Sequence, residues 1–386
     1  MEETTKNRNS LKEWKGLLEN EIGEIMHNNS VQHDQDDTFV SDNYKLLVEE
    51  GVLHALIPED LGGGGIQHNE MCDLLKQISI YCPSTALALS MHQHLIAANV
   101  WKYRHGKGGE NVLRKVIDKN LVLVSTGARD WLESNGEMKK VEGGYEFSAM
   151  KHFASQSSAG DVLVTSAPYQ HPEKGGLVLH FSVPINQEAV TIHDNWYTLG
   201  MRGTGSNTVE IKNAFISDEA IVLERPQGEF HPFWNVVLTV ALPLIMSVYT
   251  GIAEKAYEMA LQSVRKKNKD EAHLKTSSGE LFNHIEQCRI LQQDMVRLTN
   301  NFDFTPENEL GNAMLVRKTL LASACKKTVE KAMELMGGQS YFRNRGIEKL
   351  FRDVQACHFH PLPDKQQYLF TGDFILNQKK HRKRLT

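Results

Sequence analysis

From Val236 to Ala253 the chain reads VVLTVALPLIMSVYTGIA, a stretch without a single charge. A helix of this sequence is apolar on every side, so it can rest only in a bilayer or at the centre of a bundle. Pro243 in its middle, the polar interruptions Thr239, Ser247, Tyr249 and Thr250, and the lack of a second span or aromatic belt favour the bundle. No membrane is therefore expected as a partner. The stretch does demand other helices with apolar faces to surround it.

They occur on both sides of it. LKEWKGLLENEIGEIM spaces Leu11, Trp14, Leu17, Leu18, Ile22 and Ile25 by threes and fours, and SDNYKLLVEEG, the segment from Asn69 to Ile78, and PSTALALSMHQHLIAANVW continue the helical pattern. Beyond the apolar stretch come further long amphipathic pieces such as ELFNHIEQCRILQQDMVRL. Between Asn120 and about Ile216 the period changes to two, in NLVLVS, GGYEFSAMKHFAS, DVLVTSA, GGLVLHFSVPI, VTIHDNW and TVEIKNAFI, separated by Gly, Asn and Asp. The reading is an α+β chain: a helical N-terminal domain over 1–117, a middle antiparallel β barrel or sandwich over 118–224, and a C-terminal helical bundle over 225–386. A length of 386 residues suits two or three such packed units.

Charge and cysteines narrow the partners and the compartment. A net charge of -5 gives no global field for nucleic acid. Five cysteines, with no CxxC pair, fit a reducing cytoplasm better than a disulfide framework. The opening MEETTKNRNSLKEW is charged, so no secretory signal is expected there.

The turn LGMRGTGSNTVEI sets Gly200, Gly203 and Gly205 around Arg202 and then enters a strand. Such glycines allow positive φ and close backbone approach, and the arginine offers a fixed fork of donors for a carboxylate or a cofactor. Because a strand follows instead of a helix, GTGSNT is a weak match to a dinucleotide fingerprint.

With LIPEDLGGGG, STALALSMH and ELMGGQSYFRNRGIEKLFRD, this turn resembles the acyl-CoA dehydrogenase superfamily of flavoproteins, from about Leu11 to Leu376. The resemblance implies a flavin site in which Val124, Ser125 and Thr126 meet the pyrimidine edge of the ring, Phe153 packs on it and Ser155 lies near N5. It implies that Lys267, Gly337 and Gly338 reach the diphosphate of a neighbouring subunit's FAD in a homotetramer, with Glu334 where a Gln is common. His92 and His94 would line the substrate pocket.

One departure bears on the chemistry. A dehydrogenase of this kind needs a carboxylate to take the α-proton of an acyl thioester. Pro361 stands at the usual position and Ala241 at the alternative one. The tail HFHPLPDKQQYLFTGDFIL is similar to that of the flavin-dependent monooxygenase branch, where residues matching His360 and Ser155 stand by the reacting edge of the flavin. Cys357, His358 and His360 lack a fourth ligand at finger-like spacing, so no metal is expected.

Three functions follow as expectations. The first is an FAD-dependent oxidoreductase of acyl-CoA dehydrogenase type, passing electrons to an electron-transfer flavoprotein, with His360 or an unplaced carboxylate as base. The second is a two-component monooxygenase that borrows reduced FMN from a flavin reductase. The third is a paralogue that binds without turnover.

Overall fold

The computed structural model describes residues 10–126, 132–265 and 271–382, except for the side chains of 378–382. At the N-terminus, α1 (Leu11–Leu17) runs through a π turn at Leu18–Ile22 into α2 (Gly23–Asp36). After these come α3 (Ser41–Glu49), α4 (His68–Tyr81), α5 (Pro83–Arg104) and α6 (Glu110–Lys119). Local chemistry sets the starts: Gln67 and Glu70 form a capping box on α4, and Pro83 opens α5 behind Cys82, whose sulfur accepts the Thr85 N–H.

The middle unit holds β1 (Leu123–Ser125), β2 (Glu137–Val141), β3 (Gly144–Ala154), β4 (Val162–His171), β5 (Gly175–Pro184), β6 (Val190–His193), β7 (Asn207–Ser217) and β8 (Leu223–Pro226). They form two sheets, ordered β1-β4-β5-β8 and β2-β3-β7-β6. The sheets share a core that includes Phe147, Phe181, Leu163, Val209 and Ile211, with the two phenyl rings edge to face at 4.9 Å. The unit is antiparallel as expected except at β1, which pairs parallel to β4. The reason is topological: β1 enters from α6 and reaches β4 only after the β2–β3 hairpin has been laid on the other sheet.

The C-terminal unit comprises α7 (Phe233–Val264), α8 (Ala272–Thr299), α9 (Asn308–Met336), α10 (Ile347–Val354) and α11 (Asp364–Arg382). The uncharged stretch lies in α7, whose most apolar window is 94% buried. Helices α4 and α5 from the N-terminal unit and α8 and α9 from its own surround it, so one hydrophobic core joins both helical units. Pro243 breaks the hydrogen-bond ladder of α7. Near the break, His68 Nε2 donates to the Val240 carbonyl at 2.9 Å, and further on Ser79 Oγ donates to Val248 O at 2.7 Å. These two bonds tie α4 to α7 on either side of the proline.

Candidate active site

On the sheet side, β3 carries a register shift between Lys151 and Ala154, and Phe153 takes a φ of +60° there. Left-handed backbone at an aromatic residue costs on the order of 1–3 kcal/mol. Its effect is to turn the ring outward: Phe153 is 49% exposed and meets Trp196 edge to face at 6.0 Å. Two residues on, Ser155 Oγ lies 2.7 Å from Ser206 Oγ, which lies 2.7 Å from Thr204 Oγ1, and Thr204 donates to the Met201 carbonyl at 2.9 Å.

That last bond fixes the direction of the whole chain, because each hydroxyl has one proton. Thr204 gives its proton to Met201, so Ser206 donates to Thr204 and Ser155 donates to Ser206. Ser155 is left with lone pairs only, and it presents an acceptor. At the end of β1, Thr126 is buried with its hydroxyl on Thr165 Oγ1 at 2.8 Å, while the Val124 side chain belongs to the β core. The Val124 backbone is taken up in the pairing of β1 with β4.

On the helical side, α10 ends in a 3-10 turn, and His360 Nε2 meets the hydroxyl of Tyr249 on α7 at 2.5 Å. Burial, and then the Lys318 ammonium, push His360 down to about 3, so the ring is neutral at working pH. Burial raises the Tyr249 phenol well above its ordinary value. Lys318 on α9 has no exposed surface; its Nζ donates to Leu362 O at 3.1 Å and His358 O at 3.4 Å, and Asp364 Oδ1 lies 4.0 Å away. Burial lowers it to about 8. One cation therefore ties down both sides of the His360 loop. His358 turns elsewhere, with Nδ1 on Asp364 Oδ2 at 2.8 Å, and Cys357 is buried against Ala322 O. The three residues of this cluster thus point to three different partners.

The glycine-rich turn is the joint between the two sides. A Cβ on Gly200 would lie 2.3 Å from the Arg352 carbonyl oxygen, and one on Gly203 would lie 2.7 Å from Val40 Cγ1. The bare backbone is needed for packing. Buried Asp353 accepts the Met201 N–H at 2.6 Å, and Arg352 forks onto both carboxylate oxygens of Asp34 at 3.0 and 2.6 Å. Arg202 bonds to the carbonyls of Thr198 and Asp34 and sits 3.4 Å from Asp37, as a clamp on α2.

His92 is not a pocket residue. It has no exposed surface, its Nε2 donates to Leu53 O at 3.1 Å, and its Nδ1 accepts the Leu123 N–H at 3.0 Å. One nitrogen ties α5 to the turn at Val52–His54 and the other ties it to β1, which corrects the expectation for this side chain. Among the described residues His94 bonds only through Nδ1, with Ser90 O at 3.3 Å, and burial holds it down to about 4. Gly337 caps α9 with a φ of +70°, and a Cβ on Gly338 would meet nothing within 4 Å, so this pair is an open helix end. Lys267 lies outside the described residues. Tyr249 and Lys318 were missed as site residues; their only sequence signal is a polar group inside an apolar helix pattern.

Residues 9–118 match the N-terminal domain of the acyl-CoA dehydrogenase family and residues 244–364 its C-terminal domain. A dibenzothiophene monooxygenase of Mycolicibacterium goodii is 23% identical over 86% of this chain and 86% of its own. The putative acyl-CoA dehydrogenase YdbM of Bacillus subtilis (strain 168) is 22% identical over 89% of this chain and 92% of its own. Among solved structures, KijD3 in complex with FMN and dTDP-3-amino-2,3,6-trideoxy-4-keto-3-methyl-D-glucose superposes with a TM-score of 0.85, at 22% identity over 97% of each chain.

Proposed function

The chain belongs to the acyl-CoA dehydrogenase superfamily, and from that premise we propose that it is a flavin-dependent monooxygenase. In this reading it takes reduced flavin from a separate reductase and acts on a small molecule. The observation that carries the proposal is the position where a dehydrogenase needs a carboxylate. Pro361 and Ala241 cannot accept a proton; of the nearby carboxylates, Asp353 is held by Met201 and Lys349, and Asp364 is held through Oδ2 by His358, its buried Oδ1 having only the Lys318 ammonium 4.0 Å away. What stands there instead is neutral His360.

The residues present fit a flavin. Phe153 and Trp196 offer an outward aromatic wall, held in place by costly backbone, and a flat apolar ring is the ligand such a wall suits. Ser155 offers an acceptor, which matches the N5–H that a reduced flavin carries and an oxidised one lacks. When bound, the flavin would supply the electrons that activate oxygen; the protein would hold the ring and place His360 and Ser155 at its edge. We favour FMN, the flavin of the KijD3 complex.

A second reading, α-proton abstraction from an acyl thioester with FAD, keeps one supporting observation. The His358–Asp364 pair is a carboxylate-oriented imidazole, an arrangement that serves a general base. Anaerobic titration separates the two. The oxygenase reading expects reduced FMN to bind, and its reoxidation on mixing with oxygen to be altered by the protein, while acyl-CoAs of every chain length leave bound oxidised flavin coloured. Bleaching by an acyl-CoA would overturn it in favour of the second reading. Failure to bind either flavin, oxidised or reduced, would leave a scaffold protein.

We also propose self-association, as a homotetramer in a reducing cytoplasm. Ile290 and Leu320 leave an exposed apolar groove between α8 and α9 that a second copy would cover.

A further inference from the structure

The direction of one proton follows from burial at Tyr249. This residue has no exposed surface, and among the described residues its hydroxyl has one hydrogen-bonding partner, His360 Nε2, at 2.5 Å. A phenol has a single proton, and a buried donor left unpaired costs about 1–3 kcal/mol. If the histidine carried its proton on Nε2, the phenol oxygen would accept it and the phenol's own buried proton would be left unpaired. If Nε2 is bare, the phenol donates to it and both atoms of this contact are satisfied. A neutral imidazole with bare Nε2 carries its proton on Nδ1. Nδ1 of His360 has no bond to another described residue.

We propose that Tyr249 is a positioning residue: its phenol donates to Nε2 and fixes His360 as the Nδ1–H tautomer, so the atom this ring offers a ligand is a hydrogen-bond donor. Lys318 completes the arrangement from the other side. Its ammonium is held against the carbonyls of His358 and Leu362, next to the imidazole, and opposes a second proton on the ring. The ring is thereby kept neutral and in one orientation. Donation from Nδ1 would stabilise negative charge developing on a bound oxygen species or substrate, and that use of the donor rests on the oxygenase reading. The tautomer itself does not.

Magic-angle-spinning nitrogen NMR of the sedimented protein, labelled at histidine and free of flavin, reads the tautomer directly; the His360 signals are those lost in His360→Asn. The expected spectrum shows a protonated Nδ1 and a bare Nε2 in the wild type. In Tyr249→Phe, which keeps the buried ring and removes only the hydroxyl, the proton is expected to move to Nε2. An Nε2–H histidine in the wild type overturns the proposal, as does an unchanged tautomer in the variant. If the variant does not fold, the wild-type spectrum alone decides. Turnover in Tyr249→Phe should fall by about tenfold, the worth of one hydrogen bond of that kind. Because the spectra are taken without flavin or oxygen, an absence of oxygenase activity would remove the function and leave the tautomer result standing.

Discussion

The sheet side and the helical side of the candidate site are built with opposite polarity. On the sheet side a file of neutral hydroxyls drains its protons toward Met201 O and ends in an acceptor at Ser155. On the helical side a phenol feeds a proton into a neutral imidazole. The first arrangement contains no ionisable group near neutrality, so it is indifferent to pH. The second works only while burial keeps His360 uncharged. On the proposed reading, the difference divides shape recognition and proton chemistry between two bodies with separate cores.

Acid should break the comparison most severely. His68, His92 and His94, on α4 and α5, are fully buried and held down to about 4, against an ordinary value of 6.5. Between pH 6.5 and 4 the unfolded chain binds more protons than the folded one, so the stability is fully present above 6.5 and is lost as pH falls. Each histidine accounts for about 3 kcal/mol at pH 4, so three together reach the range of a whole domain's stability, about 5–15 kcal/mol. Hydrogen exchange followed by mass spectrometry from pH 7 to 4 should show the helical body opening before the β unit. Opening of the β unit first would contradict the division.

The next effect in size belongs to His360. His360→Ala should lower turnover by a factor of about 10² to 10⁴ while leaving flavin affinity in place, which stopped-flow and fluorescence titration check separately. Phe153→Ala should do the reverse, weakening flavin binding by about tenfold through lost aromatic stacking, with turnover at saturating flavin retained. An equal loss in both quantities for either variant would merge the two sides into one. The smallest effect tests the direction of the hydroxyl file. Thr204→Val removes the donor to Met201 O and frees Ser155 to donate, so the preference for reduced over oxidised FMN should shrink by about threefold. An unchanged preference in equilibrium titrations would show that Ser155 is not read as an acceptor.

The architecture was legible in the sequence wherever burial is periodic. The uncharged stretch from Val236 to Ala253 required neighbours and has them, and the change to period two marked the sheets. The glycines of the turn were legible as close approach but not as to what approaches: Gly200 meets the backbone of Arg352, 152 residues further on. His92 looked like a pocket residue because its helix was read without its rotation, and its bond to Leu123 depends on the β unit being docked. Tyr249 and His360 lie 111 residues apart, and no local pattern announces that a tyrosine in an apolar helix has a histidine to feed. Direction of donation is a property of pairs, and pairs at that separation belong to the fold.

The placement of α7 has a consequence for how the protein is made. Helices α4 and α5 complete their packing only against α7, yet the entire β unit is translated between them. At about 5–20 residues per second, the ribosome needs on the order of 10 to 30 s after the end of α5 to deliver the whole of α7. Throughout that interval the apolar faces of the early helices lack their cover, while the β unit can close around its own core. Nascent chains of this protein should therefore hold a folded middle and an unfinished beginning, and it is the beginning that a chaperone would have to shelter.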